Sequence, residues 1–133
     1  MNAQIAAIEM FVYLLAVHWV ADFVFQNDQM AQNKSTSNKW LSIHVGMYTA
    51  VAMLFSVSVF ALGGRIMVVK VVTMWLLNAP LHWVTDYLTS RWSSRLYKAE
   101  RRHDFFVVIG FDQLIHHVTL AALFCFVFLR GSN

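Results

Sequence analysis

Two segments of this chain place polar side chains at intervals of four residues within otherwise apolar sequence. Residues at i, i+4 and i+8 lie one helical turn above another, so each set forms a stripe along one face of a predicted α-helix. The two stripes are His18, Asp22 and Gln26 in the first segment, and Asn78, His82 and Asp86 in the second. Imidazole beside carboxylate on one helix face can form ion pairs, carry protons or bind a metal ion.

Two further segments add to this set. Asp112 and His116 form another i, i+4 pair, while Gln113 and His117 form a parallel pair about 100° round the helix. His44 lies in a fourth apolar segment. Neutral imidazole with carboxylate suits zinc, manganese or iron, and an i, i+4 pair can hold one ion. We therefore predict a site for one or two divalent ions, with zinc as the best-suited metal.

The predicted metal ligands come from both halves of the chain. They are His18, Asp22, His44, His82, Asp86, Asp112 and His116. A symmetric arrangement would give each ion the ligands of one half, and exchange of ligands between the halves is an equal alternative. Asp112 would bridge the ions or act as a general base. Hydrogen bonds from Gln26, Asn78, Gln113 and His117 are predicted to support the ligands.

The composition indicates which elements must position these residues. The chain is 59% hydrophobic with a mean hydropathy of +0.54, which is too apolar for an ordinary soluble domain. Four stretches of roughly 20 apolar residues, each long enough to cross a bilayer, fill most of its 133 residues. The predicted spans are residues 4–26, 40–62, 66–89 and 105–129. We predict a single domain, 1–133, with an all-α fold: a polytopic membrane protein built as a bundle of four transmembrane helices.

The polar connectors 27–39 and 90–104 indicate an orientation. They hold seven of the ten lysines and arginines, so the positive-inside rule places them in the cytoplasm and both termini outside a bacterial inner membrane. Connector 90–104 is expected to form a separate amphipathic helix on the membrane surface. The net charge of +3 is thus assigned to contact with the lipid bilayer, and no nucleic-acid partner is predicted.

An internal repeat relates the two stripes. His18-Trp19-Val20-Ala21-Asp22-Phe23 recurs as His82-Trp83-Val84-Thr85-Asp86-Tyr87, with four identities. Ile43-His44 and Ile115-His116 extend the correspondence weakly into the following segments. The simplest account is two similar helical hairpins that share one membrane orientation.

Three functions remain open at this point. The leading hypothesis is a metal-dependent hydrolase of a phosphoester or lipid-linked substrate, with water activated by the metal as nucleophile and Asp112 or Asp86 as base. Lys34 and Arg91 in the basic connectors would bind the substrate phosphate. The alternatives are a proton or metal transporter, or ion-binding module, and an interaction protein that modulates a host partner. A homo-oligomer that shields the polar faces is a further possibility.

The chain resembles a family of small bacterial and phage membrane proteins known as domain of unknown function 3307. The resemblance covers nearly the whole chain. Its carriers are His18-x-x-x-Asp22-x-x-x-Gln26 with Lys34 beyond it, His44, Asn78-x-x-x-His82-x-x-x-Asp86, and Phe105-Phe106 leading to Asp112-Gln113-x-x-His116. The resemblance implies membrane topology and a shared polar motif, but no reaction.

Overall fold

The structure, a computed structural model, describes residues 2–130 and is built from helices. Met1 and residues 131–133, at the ends of the predicted domain, lie outside the described residues. The helices are α1 (Ala3–Trp19), α2 (Asp28–Asn33), α3 (Asn38–Phe60), α4 (Gly64–Lys98) and α5 (Arg102–Phe124). Wider π-helical turns extend α1 over Val20–Val24 and α5 over Cys125–Leu129. Residues 2–130 contain no β-strand, which confirms the all-α class.

Polar residues in the sequence set where the first three helices begin. The side-chain oxygens of Asn2, Asn27 and Ser37 each accept a backbone N–H from the first turn of α1, α2 and α3, respectively. Such capping satisfies N–H groups that have no partner inside the helix. The polar connector 27–39 therefore contains a helix of its own, α2, ahead of the cap of α3.

The chain reverses direction between α3 and α4. Gly64 has a φ of +82° and a ψ of −179°, a conformation that is open in practice only to glycine. Hydrogen bonds then join the two helices: Trp75 to Ser56 close to the turn, and Trp83 to Ser42 far from it. This order of contacts defines an antiparallel pair.

The helix α4 is longer than the predicted third span. It continues without a break through Pro80 to Lys98, and α5 starts at Arg102. The prediction of a separate surface helix in connector 90–104 is therefore wrong. Residues 90–98 contain no proline or glycine to stop the helix, so α4 propagates through them at little cost. The break comes only at Glu100, with a φ of 58°.

Three stretches of the described chain are long and apolar enough to cross a membrane: Gln4–Val24, Asn38–Lys98 and Arg102–Leu129. The second stretch contains the reversal at Gly64, so it is folded back on itself as α3 and α4. Many large apolar side chains on these helices point outward, among them Leu54, Ile66 and Leu88, each more than 60% exposed.

The apolar core lies in the half of the bundle nearest the α3–α4 reversal. Its buried members come from all four long helices: Leu14, Val17, Tyr48, Val51, Ala52, Val71, Met74, Trp75, Leu120 and Phe124. Trp75 is fully buried and its indole N–H donates to Ser56 Oγ at 2.9 Å. The polar residues singled out from the sequence lie in the other half, toward connectors 27–37 and 99–101.

The two copies of the internal repeat are similar in burial. In both copies the histidine and the aspartate are buried, while the aromatic residues between and after them stack on the outside. The stacked pairs are Trp19 on Phe23 and Trp83 on Tyr87. The backbone differs, because the first copy passes from α-helix into the π-helical turn at Val20 and the second stays within α4.

Candidate metal centre

The four long helices bring the predicted histidines and aspartates into one buried cluster. Its innermost members are at most 3% exposed: His18, Asp22, His44, His82, Asp86 and His116. Each of these residues occupies the inward position of its helix. His18, Asp22 and His44 lie within about two turns of the connector end of their helices, and His82, Asp86 and His116 lie about three to four turns from it. Stripes read from the sequence thus converge on a common point.

Four residues from both halves of the chain are close enough to hold one ion: Asp22, His44, His82 and Asp86. The atoms that approach one another are Asp22 Oδ1, His44 Nε2, His82 Nε2 and Asp86 Oδ2. His44 Nε2 lies 3.1 Å from the Asp22 oxygen, 3.2 Å from the Asp86 oxygen and 3.4 Å from His82 Nε2. His82 Nε2 lies 3.5 Å from the Asp22 oxygen and 3.8 Å from the Asp86 oxygen.

These five separations, 3.1–3.8 Å, are centred on the values expected around a tetrahedral ion. Bonds of 2.0–2.2 Å to a central zinc place neighbouring ligand atoms about 3.3–3.6 Å apart. Asp22 Oδ1 has no hydrogen-bond partner among the described residues, although His44 Nε2 is 3.1 Å away, so the contact lacks the alignment of a hydrogen bond. Buried oxygens seldom stay unpaired, and a cation between the four atoms would satisfy this one.

A second group shares Asp86 with the first. His116 Nε2 lies 3.1 Å from Asp86 Oδ1 and 3.5 Å from Asp112 Oδ1. These three residues are also close enough to hold an ion together. Asp86 presents one carboxylate oxygen to each group, so it occupies the bridging position that the sequence suggested for Asp112. A group of three ligands leaves a coordination position open, whereas four complete a tetrahedron.

His18 lies outside both groups. Its Nδ1 is 2.9 Å from the hydroxyl of Tyr48, and its Nε2 is 4.0 Å from Asp22 Oδ2 without a hydrogen-bond partner in residues 2–130. Asn78 Nδ2 donates to the same hydroxyl at 3.0 Å, so the tyrosine proton is free to be donated to His18 Nδ1. Asn78 and His18 thus share the Tyr48 hydroxyl, and the supporting role predicted for Asn78 stays a prediction.

Sequence reasoning missed Tyr48 and Thr89. Tyr48 is fully buried and its ring stacks on that of His82, with centroids 4.0 Å apart. Thr89 Oγ1 donates to Asp112 Oδ1. A usable signal existed for both, since Tyr48 follows His44 by four residues and Thr89 follows Asp86 by three, which keeps each on the inward face of its helix.

The other residues predicted to support the ligands differ in placement. Gln113 Nε2 donates to Asp112 Oδ2 at 3.1 Å and approaches Asp22 Oδ2 at 3.4 Å. Gln26 lies beyond the π-helical turn, so it leaves the α-helical stripe, and its buried Oε1 has no hydrogen-bond partner within the described chain. His117 is exposed and meets only the edge of the His18 ring, with centroids 5.5 Å apart.

The two residues predicted to bind substrate are separated. Lys34 reaches into the cluster, where its Nζ lies 2.9 Å from Asp86 Oδ2. Burial alone would lower the pKa of the Lys34 ammonium, but the carboxylates of Asp86 and Asp22 outweigh burial and raise that pKa, so the group is charged at neutral pH.

Arg91 is held away from the cluster. It donates to the Tyr87 carbonyl at 3.0 Å and to Asn38 Oδ1 at 2.7 Å, and its guanidinium stacks 3.8 Å from the Tyr87 ring centroid.

A cavity of about 470 Å³ connects the cluster with the connector end of the bundle. Asp22, Asp86, Asp112 and Gln113 line its inner part. Its outer part is lined by polar side chains and by a set of aromatic and apolar ones: Gln32, Lys34, Ser35, Ser90, Ser93 and Ser94, and Phe23, Tyr97, Phe105 and Ile109. The apolar core lies on the opposite side of the cluster. The site is therefore reached from one end.

Comparison with known proteins identifies a family whose function is unknown. The model of the family described as protein of unknown function, DUF3307, matches residues 10–133. The chain belongs to this family, and the resemblance noted from its motifs is confirmed. Searches of curated proteins and of solved structures found no match to the chain.

Proposed function

We propose that this protein is a four-span membrane protein of the bacterial inner membrane that binds divalent metal and hydrolyses a phosphoester or lipid-linked substrate from the cytoplasmic side. One observation carries the proposal. Four ligand atoms with tetrahedral spacing lie at the closed end of a cavity that is reached from the basic end of the bundle. The membrane location, the metal and the substrate class of the proposal are each consistent with this arrangement.

The outer surface of the bundle supports the membrane assignment. Three stretches have the length and apolar character of membrane spans, and the second folds back at Gly64, which supports four crossings in the proposed topology. The histidines and aspartates face inward, away from lipid, as ionisable residues in a membrane do. The connectors at the cavity end carry most of the lysines and arginines, which favours a cytoplasmic opening.

The ligand chemistry supports a metal ion over a set of ion pairs. Two imidazole nitrogens, His44 Nε2 and His82 Nε2, face each other at 3.4 Å. Two neutral imidazoles share at most one proton along such a contact, whereas a cation accepts the lone pair of each. Zinc matches the tetrahedral spacing and the mixed nitrogen and oxygen donors.

The group of Asp86, Asp112 and His116 supports hydrolysis. An ion held by three ligands would supply Lewis acidity and lower the pKa of a water molecule. Asp112 lines the cavity, and Thr89 and Gln113 hold both of its oxygens by hydrogen bonds. Asp112 would contribute Oδ1, which lies 3.5 Å from His116 Nε2, to the ion, and its Oδ2 would accept a proton from an attacking water.

The cavity lining supports an amphiphilic substrate. Hydroxyl groups and one lysine line it beside Phe23, Tyr97, Phe105 and Ile109, so a phosphate group and an apolar chain would each find matching surface. Ligand sites commonly combine a few polar groups with such apolar walls.

A second candidate function has one observation in its favour. Four protein ligands complete a tetrahedral ion, which is typical of a structural site and not of a catalytic one. A non-enzymatic ion-binding module would need only this group. Transport through the bundle is less well supported, because packed apolar side chains lie between the cluster and the far end.

Elemental analysis tests the metal. Full-length protein purified in detergent, without chelator or affinity metal, should contain stoichiometric divalent metal. His82→Ala should lose it, and the matched control His103→Ala should retain it, because His103 is exposed in the first turn of α5. Absence of metal from the unaltered protein would reject both the hydrolase and the ion-binding module.

Asp112→Asn separates the two candidates. Hydrolysis of p-nitrophenyl phosphate and of phosphatidic acid in mixed micelles is measured for the metal-loaded proteins. A hydrolase should lose activity in this variant while the ion in the four-atom group remains, since Asp112 is not among its ligands. Metal without activity on either substrate in the unaltered protein would favour the ion-binding module.

A further inference from the structure

Lys34 competes for an oxygen that the metal would use. Its Nζ lies 2.9 Å from Asp86 Oδ2, and that oxygen belongs to the four-atom group at 3.2 Å from His44 Nε2. An ammonium and a divalent ion carry like charge and seek the same carboxylate. The lysine therefore offsets one of the two carboxylate charges in the four-atom group, and an arriving ion competes with it for this oxygen.

The position of Lys34 permits such a displacement. The residue caps the C-terminal end of the six-residue α2, and its side chain crosses the cavity to reach α4. The four-carbon side chain of lysine rotates about each of its bonds, so the ammonium can leave Asp86 without movement of the backbone. Among the residues that the structure describes, no other lysine or arginine lines the cavity.

Groups that suit an anion lie within the same cavity. Ser35, Ser90, Ser93 and Ser94 contribute hydroxyls to its wall. The Ser90 hydroxyl is buried and has no hydrogen-bond partner within residues 2–130. A released ammonium among hydroxyl donors is a suitable receptor for a phosphate group.

We propose that Lys34 holds the cation site in the absence of metal and, once displaced by the ion, binds the phosphate group of the substrate. The inference rests on the proposed metal binding and adds a coupling to it. Metal frees the lysine for the anion, and by linkage the anion must strengthen metal binding by the same factor. Cation and anion thus bind cooperatively.

The test measures Mn²⁺ affinity for the full chain in phosphatidylcholine nanodiscs, with and without methylphosphonate as a non-hydrolysable phosphate probe. Lys34→Met should bind Mn²⁺ at least about fivefold more tightly than the unaltered protein, because the competing charge is gone. Methylphosphonate should tighten Mn²⁺ binding by a similar factor in the unaltered protein and have no effect on Lys34→Met. Lys39→Met is the matched control, since Lys39 is exposed at the start of α3 and should change neither value.

Each outcome bears on a different part of the inference. Equal or weaker Mn²⁺ affinity in folded Lys34→Met would contradict the proposed competition between Lys34 and the ion. It would not contradict metal binding itself. Absence of Mn²⁺ binding in the unaltered protein would overturn the proposed function together with this inference. If Lys34→Met fails to fold, the unaltered protein alone decides, because no effect of the phosphonate on its Mn²⁺ affinity contradicts the coupling.

A further arm separates two sources of the phosphate. Nanodiscs that contain phosphatidic acid replace the soluble phosphonate. Tighter Mn²⁺ binding in these discs supports a lipid headgroup as the natural anion. An effect of methylphosphonate alone supports a soluble phosphoester, and an effect of neither contradicts the anion role of Lys34.

Discussion

The two halves of this bundle use the same four long helices for opposite purposes. Near the α3–α4 reversal, the inward positions hold Leu14, Met74, Trp75 and Leu120, which are buried in one apolar cluster. Toward the connectors, the inward positions hold histidines and aspartates around an open space. The difference teaches that apolar burial stabilises one half, while the other half bears the cost of burying ionisable groups, a cost that the proposed ion would offset.

The largest effect should come from the carboxylate that both ligand groups share. Asp86→Asn removes one charge and one strong ligand from each group, so ion binding should fall by more than about 100-fold, beyond what loss of a supporting residue causes. Metal content after dialysis measures this. Asp104→Asn is the control, because Asp104 pairs with Arg101 at the surface, away from the ligand groups, and equal loss in both variants would refute a specific role.

A substitution in the apolar half should give the reverse result. Trp75→Ala empties a fully buried position and should lower the free energy of unfolding by about 3–5 kcal/mol. Metal stoichiometry of the folded fraction should stay unchanged, because Trp75 is separated from the ligands by the Tyr48 ring. Denaturant unfolding in detergent, combined with metal analysis, provides both values. Loss of metal at unchanged stability would show that the halves are not independent.

A smaller effect is expected at the boundary between the halves. Tyr48→Phe keeps the ring against His82 but removes the hydroxyl that pairs with His18 Nδ1 and Asn78 Nδ2. The free energy of unfolding should fall by about 1–2 kcal/mol because two buried groups lose their partner. Metal content should be retained, since His18 belongs to neither ligand group. Loss of metal in this variant would indicate that His18 is a metal ligand, as the sequence predicts.

The smallest effect is expected at Arg91. Arg91→Ala removes a stacking contact with Tyr87 and a hydrogen bond to Asn38, both outside the cavity, and should cost about 0.5 kcal/mol or less. Phosphoester hydrolysis and metal content should match the unaltered protein. A raised KM in this variant would restore the substrate role that its basic character suggested.

The sequence was sufficient for the all-α class and for the histidines and aspartates that meet in the buried cluster. Apolar stretches of membrane length predict long helices, and the spacing of His82 and Asp86 predicts that both face one way. The sequence could not predict which of these residues belong to which ligand group. That grouping depends on the π-helical turn at Val20–Val24, which changes the angular position of Asp22 relative to His18, and on the reach of a lysine from another element.

The sequence also did not predict where α4 ends. Hydropathy falls after Thr89, so the sequence suggests an end to the span, but backbone hydrogen bonding does not depend on hydropathy and the helix continues to Lys98. Tyr48 was passed over for a similar reason, since an aromatic residue in an apolar helix is typically packing, and only the position of its hydroxyl shows the polar role.

The length of α4 can be compared with the thickness of a bilayer. Its 35 residues extend about 52 Å, against about 30 Å of hydrocarbon in a bilayer. In the proposed topology, Asp86 lies about 18 Å below the end of this helix, close to the level where headgroups meet acyl chains. The part of α4 beyond Asp86 would then project into the headgroup region and the cytoplasm, and a phosphate group would have to pass along it through the cavity to reach the cluster.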